Sequence, residues 1–172
     1  RQVLHGSNPA GLCLEPAFVR GVRRLGELGL SFDLCMRHAD LPDAAKLVEA
    51  APGTSFILDH CGNPPLFDDL TVWKRDVSRI AALPNVVGKV SGIIASAKGR
   101  SWTVDDLAPV VRHMLEAFGP DRVLFGGDWP VCTLGAPLKE WYDALDQIVA
   151  DLPAEDRRKL YHDNAVRVYR LS

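Results

Sequence analysis

Short apolar runs alternate along the chain with longer stretches in which apolar residues recur every three or four positions. Periods of about 2 and about 3.6 residues in regular succession are the pattern of β-α units laid along a parallel sheet. Gln2 to His5 predicts a first strand. After the polar loop Gly6-Ser7-Asn8-Pro9, a helix from about Pro16 carries Phe18, Val22, Leu25 and Leu28 on one face, with Gly29 as its stop. A second strand, Phe32 to Met36, precedes a helix from about Pro42 to Ala50, closed by Pro52-Gly53. Phe56-Ile57-Leu58 is a third strand, apolar throughout as strands covered on both faces are, and it turns polar abruptly at Asp59-His60-Cys61-Gly62.

A helix from about Asp69 to Ala82, with Val72, Trp73, Val77 and Ile80 inward, leads through Pro84-Asn85 to a fourth strand, Val86 to Val90. Thr103-Val104-Asp105-Asp106 reads as a capped helix start, and Leu107, Val110, Val111, Leu115 and Phe118 form its stripe before Gly119-Pro120 ends it. Val123-Leu124-Phe125 is the fifth strand and runs into Gly126-Gly127-Asp128. Leu138, Trp141, Leu145 and Ile148 mark another helix, and a last helical segment runs from about Ala154 through Tyr161, with Tyr169 and Leu171 expected to pin the tail. No repeat beyond this alternation and no break in composition divides the chain, so residues 1–172 are expected to form a single domain.

Five strands with their helices fit two α/β architectures: a complete doubly wound sheet, or the last five strands of an incomplete (β/α)8 TIM barrel. A full barrel takes about 250 residues, and in either arrangement the ligand side is the C-terminal end of the strands. The 172 residues fall short of a whole barrel by about three strands, and the chain opens at Arg1 directly into a strand, which together suggest a truncated product.

Composition narrows the function more than the fold. With 22 acidic and 20 basic residues and no long single-sign run, nothing resembles a nucleic-acid or anionic-membrane footprint, which leaves a small-molecule substrate as the expected partner. Cys13, Cys35, Cys61 and Cys132 form no C-x-x-C pair, so reduced, buried thiols are expected. No apolar run is long enough to span a bilayer and no leader pattern opens the chain, so the expected location is cytoplasmic.

The strand ends put His60, Ser91 and Asp128 on one rim. An imidazole and a carboxylate are ligands that zinc accepts, and a carboxylate beside a bound water can take its proton, although two residues fall short of the three that catalytic zinc takes from protein. The plainer readings are a histidine bonded to a nearby carbonyl or to Asp59, and an aspartate capping loop N–H groups. The Gly126-Gly127 pair favours a ligand approaching the backbone. Arg37 and His38, after the second strand, suit a substrate carboxylate or hydroxyls, or a solvated pair. Lys89 interrupts an apolar strand and must reach the rim or pair with a carboxylate. Trp129 lines the pocket or packs beneath the last loop, and the other tryptophans are expected in the core.

Phe56-Ile57-Leu58-Asp59-His60-Cys61-Gly62-Asn63-Pro64 and Asp121-Arg122-Val123-Leu124-Phe125-Gly126-Gly127-Asp128-Trp129-Pro130-Val131 resemble two signatures of the amidohydrolase-related family, closest to its sugar-lactone and dicarboxylate-lactone hydrolases. Lys89-Val90-Ser91-Gly92, Asn164-Ala165 and Tyr169 extend the resemblance over nearly the whole chain. The resemblance implies the fourth to eighth strands of a barrel, with His60 ending the sixth, Lys89 on the seventh and Asp128 ending the eighth. It implies hydrolytic opening of a lactone, with Asp128 and His60 as catalytic residues and metal ligands; Arg37, Lys89 and Trp129 are the substrate-binding candidates read from their positions at the strand ends. The implied cofactor is a divalent metal, zinc first, although some relatives work without one. His38 stands where many amidohydrolases place a fifth-strand histidine, and the family's His-x-His on the first strand is absent from the chain.

Alternatives are a metal-dependent decarboxylase or amide hydrolase on the same scaffold, and a non-catalytic five-stranded ligand-binding domain. A partial barrel predicts self-association through exposed sheet edges.

Overall fold

The computed structural model describes residues 1–97 and 99–171. Five parallel strands form one sheet: β1 (Gln2–Leu4), β2 (Ser31–Met36), β3 (Ser55–Leu58), β4 (Val86–Val90) and β5 (Val123–Phe125). Helices α1 (Pro16–Glu27), α2 (Leu41–Ala50), α3 (Thr71–Ala81) and α4 (Val104–Phe118) link them, and α5 (Leu138–Ile148), α6 (Ala154–Arg158) and α7 (Asn164–Tyr169) follow the last strand.

The strand order is sequential, β1-β2-β3-β4-β5, and every pairing is parallel. A doubly wound sheet reverses its order at a switch point, whereas a barrel adds each strand beside the one before it. The order therefore settles the choice that composition leaves open: the fold is part of a (β/α)8 barrel.

Alternation along the strands separates two faces. Phe32, Leu34, Phe56, Leu58, Val86, Val90 and Val123 join the large apolar cluster with the helices, including the buried Trp73 and Trp141. Gly88 belongs to this face, since a Cβ there would lie 2.6 Å from Met114 Cε of α4. On the other face lie Asp33, Cys35, Ile57, Lys89 and Leu124; Cys35, Ile57 and Leu124 are buried yet stand outside that cluster.

The helices start where local chemistry starts them. Pro16 occupies the first turn of α1, and Thr103 and Asp106 cap α4 reciprocally. Three expectations need correction. Leu28 and Val72 are 56% and 53% exposed, because α1 ends one residue before Leu28 and Val72 lies off the buried stripe of α3. Beyond Tyr161 the last segment continues through a π-helical turn, Lys159–Asp163, into α7. Leu171 is exposed and pins nothing, while Tyr169 lies with its ring 5.5 Å from the Lys89 ammonium. All four cysteines are free and buried, as their spacing suggests. Among the described residues, no helix is long and apolar enough to cross a membrane.

Candidate active site

The chain leaves β3 in an unusual conformation. His60 and Cys61 both have φ near +52°, Asn63 has φ +50°, and Gly62 lies between them at φ +69°. Non-glycine residues in the left-handed region cost roughly 1–2 kcal/mol each, so such a run persists only where its surroundings hold it. Here Trp73 Nε1 donates to the Cys61 carbonyl at 2.8 Å, and Asn63 Nδ2 donates to the Met36 carbonyl at 2.7 Å.

The turn decides the position of His60. Simple alternation would send it to the helix side with Phe56 and Leu58. The left-handed backbone instead brings Nδ1 to 2.9 Å from Ser91 Oγ and Nε2 to 3.8 Å from Asp128 Oδ1. Asp128 is itself left-handed, at φ +50°, and ends the row Leu124, Gly126 on the inner face. Gly92 makes room for both: a Cβ there would fall 2.6 Å from His60 Nδ1 and 2.8 Å from Asp128 Oδ2.

Neither plainer reading of the two residues holds. His60 bonds to Ser91 rather than to Asp59 or a carbonyl, because the turn has rotated it away from both. The Asp128 carboxylate caps no loop: among the described residues it accepts no hydrogen bond, and its backbone carbonyl takes the Cys132 N–H instead, at 2.9 Å. Burial, the largest influence on each, lowers the His60 pKa against the pull of Asp128 and Asp59, and raises that of Asp128. An imidazole kept neutral thus faces a carboxylate of increased basicity.

Beneath them lies an ion network that the sequence shows only as isolated charges in apolar strands. Lys89 Nζ donates to Asp59 Oδ1 at 2.6 Å and to Asp33 Oδ2 at 3.1 Å, and Arg1 Nη1 donates to Asp59 Oδ2 at 2.9 Å. The Asp59 side chain is fully buried. Burial opposes the Lys89 charge, but the hydrogen bond to Asp59 and the two carboxylates outweigh it and hold the ammonium above its ordinary pKa. Of the two alternatives for Lys89, it pairs with carboxylates.

Cys35, Asp59 and His60 each bring one ligand atom within 4.8 Å of the others, a sulfur-oxygen-nitrogen set of the kind zinc takes. The electrostatics oppose that use. Both Asp59 oxygens already serve cations, and burial raises the Cys35 thiol pKa, so a dication would meet a protonated sulfur and sit beside an ammonium and a guanidinium. As arranged, the three residues do not fit a resident zinc.

A cavity of about 610 Å³ opens over the ends of β1, β2 and β3, lined by His5, Arg37, His38, Asn63, Ser96 and Arg100 among others. Neither His60 nor Asp128 is part of its wall. Arg37 reaches this cavity, although its Nε donates to Asp40 Oδ2 at 2.5 Å. Trp129 is 71% exposed, so it does not pack beneath the last loop. Ser91 and Gly92 are the partners that sequence reasoning undervalues, since their contacts depend on the register between strands. Asp33 carries a signal that could have been read, an acid in the middle of an apolar strand.

Residues 4–171 match the amidohydrolase family. The chain is 34% identical over 168 residues to an L-fucono-1,5-lactonase of Burkholderia multivorans, covering 90% of this chain and 56% of that protein. It is 27% identical over 182 residues to an L-rhamnono-gamma-lactonase of Scheffersomyces stipitis, covering 91% of this chain and 54% of that one. A crystal structure of an amidohydrolase from Burkholderia multivorans with bound zinc superposes with a TM-score of 0.92 at 30% identity, covering 100% of this chain and 63% of that one. The chain thus spans about half the length of the curated relatives it matches.

Proposed function

The chain belongs to the amidohydrolase family, and from that premise we propose that it contributes the hydrolytic pair of a lactone-opening enzyme, with Asp128 as the base and His60 as the group that polarises the carbonyl. The observation that carries this reading is the Asp128 carboxylate, which among the described residues accepts no hydrogen bond, facing His60 Nε2 across 3.8 Å. The gap is too wide for a direct hydrogen bond, so both groups are available to a substrate or water beside them.

In this reading Asp128 takes a proton from water as its oxygen attacks the ring carbonyl. The C–O bond of the ring then breaks, and Asp128 returns the proton to the alkoxide as it leaves. Arg37, Lys89 and Trp129 are the substrate-binding candidates. Arg37 borders the cavity directly; Lys89 acts from below by fixing Asp59; Trp129 supplies an exposed aromatic face beside Asp128. Zinc is the metal the family reading favours; of its two candidate ligands in this chain, His60 and Asp128, the Ser91 contact at His60 Nδ1 favours Asp128. When bound it would supply Lewis-acid polarisation of the carbonyl. The cytoplasm is the proposed setting.

The test is turnover of a panel of sugar lactones and dicarboxylate lactones by the full-length protein. We expect ring opening of at least one sugar lactone and a loss of kcat on the order of 10³-fold in Asp128→Asn, the range for removal of a general base. Failure to open any lactone, or decarboxylation in its place, rejects the reading.

A further inference from the structure

Ser91 closes β4 in a position where its side chain has little freedom. The residue is buried, and among the described residues its hydroxyl has a single hydrogen-bond partner, His60 Nδ1 at 2.9 Å. A neutral imidazole offers one nitrogen as donor and the other as acceptor, while a hydroxyl can play either part. If Nδ1 carried the proton, the Ser91 oxygen could accept it, but the serine hydrogen would then be buried with no acceptor. If Nδ1 carries the lone pair, the serine hydrogen is satisfied and the imidazole proton lies on Nε2. A ring with one proton has two tautomers, and the buried Ser91 contact decides between them.

Resting on the lactonase reading, we propose that Ser91 is a positioning residue that fixes His60 as its Nε2–H tautomer, so that the imidazole meets the substrate carbonyl as a hydrogen-bond donor. The placement of the groups supports this division of labour. Nε2 lies toward Asp128, whose carboxylate accepts no hydrogen bond among the described residues, and Gly92 allows both side chains to converge. The pair then presents one donor and one acceptor side by side. A carbonyl oxygen takes the donor and the hydrogen of an attacking water takes the acceptor. Metal ligation through Nε2 calls for the opposite tautomer, with the proton on Nδ1, so the serine contact and the crowded charges on Asp59 point the same way.

The experiment is a two-bond ¹H–¹⁵N correlation spectrum of the full-length protein labelled in histidine, with His60→Gln to assign the signals. We expect the protonated-nitrogen shift on Nε2 and the unprotonated shift on Nδ1. Ser91→Ala should lose that preference and lower kcat on the order of 10- to 100-fold, the usual cost of removing a group that orients a functional histidine, with KM little changed. Ser91→Thr, which keeps the hydroxyl, should restore both. A proton on Nδ1 in the parent protein, or an unchanged tautomer in Ser91→Ala, overturns the proposal. Added zinc should leave the Nε2–H signal in place; its replacement by a metal-bound Nε2 also overturns the proposal. The spectrum is independent of turnover, so absence of lactone opening with the Nε2–H tautomer present would reject the lactonase reading and leave the tautomer assignment standing.

Discussion

The two faces of the sheet come from the same five strands and obey opposite rules. Toward the helices, Phe32, Leu34, Phe56, Leu58 and Val86 meet Trp73, Val77, Val111 and Met114 in a continuous apolar cluster. On the inner face, Asp33, Lys89, Asp59 and Arg1 form a chain of charges, with His60, Ser91 and Asp128 at its upper end. Apolar contact tolerates exchange of one side chain for another of similar volume, whereas a buried ion network fails when a single member is removed. The comparison teaches that stability is spread over many residues on one face and is conditional on a few on the other.

The largest expected effect is on the inner face. Lys89→Met leaves the fully buried Asp59 with only the Arg1 guanidinium, and should destabilise the chain by about 3–5 kcal/mol, read from urea unfolding. A loss of under about 1 kcal/mol, at the level of exposed pairs, would show that the charges are solvated and would remove the contrast. Next, Leu58→Ala on the helix face should cost about 2–5 kcal/mol, with the same loss at every pH across the folded range. A strong pH dependence of that loss would mean that the two faces are coupled.

How far these features are legible in the sequence differs between the faces as well. The helix face follows from periodicity, because burial on one side of a strand or helix writes itself into every second or every third and fourth position. The strand order does not, since both barrel and doubly wound sheets contain the same β-α units. At the site, Asp128 and His60 are recognisable from their flanking residues. Alternation nevertheless assigns His60 to the wrong face, because a left-handed turn of a few residues overrides the period of the strand before it. The Arg1 contact to Asp59 spans 58 positions and leaves no local trace.

A smaller effect sharpens the contrast at the rim. Burial places the folded pKa of Asp128 above its unfolded value, so the stability linked to its protonated form is present at acid pH and lost as pH rises through the folded pKa. At neutral pH the ionised carboxylate therefore opposes folding, and Asp128→Asn should raise the melting temperature while it lowers kcat. An unchanged or lower melting temperature at pH 7 would show that other contacts offset the burial of the carboxylate. The smallest effect concerns the edges: β1 and β5 each lack a second neighbour among the described residues, and Val131, Leu134 and Tyr142 are exposed beyond β5. The chain of residues 1–172 by itself should show concentration-dependent association by light scattering. A strict monomer at all concentrations would mean that the edges are protected.

The sequential strand order has a consequence for how the chain reaches this state. Each strand pairs with its neighbour in the chain, so every step of sheet growth closes only the loop and helix between them. Loop-closure entropy rises only slowly with length, and topologies made of such near-neighbour steps fold faster than those built on distant pairings. The sheet can therefore lengthen one unit at a time from any pair that forms first, and the contact between Arg1 and Asp59, which reaches back across β2 over 58 positions, closes at little added cost once those strands are in place.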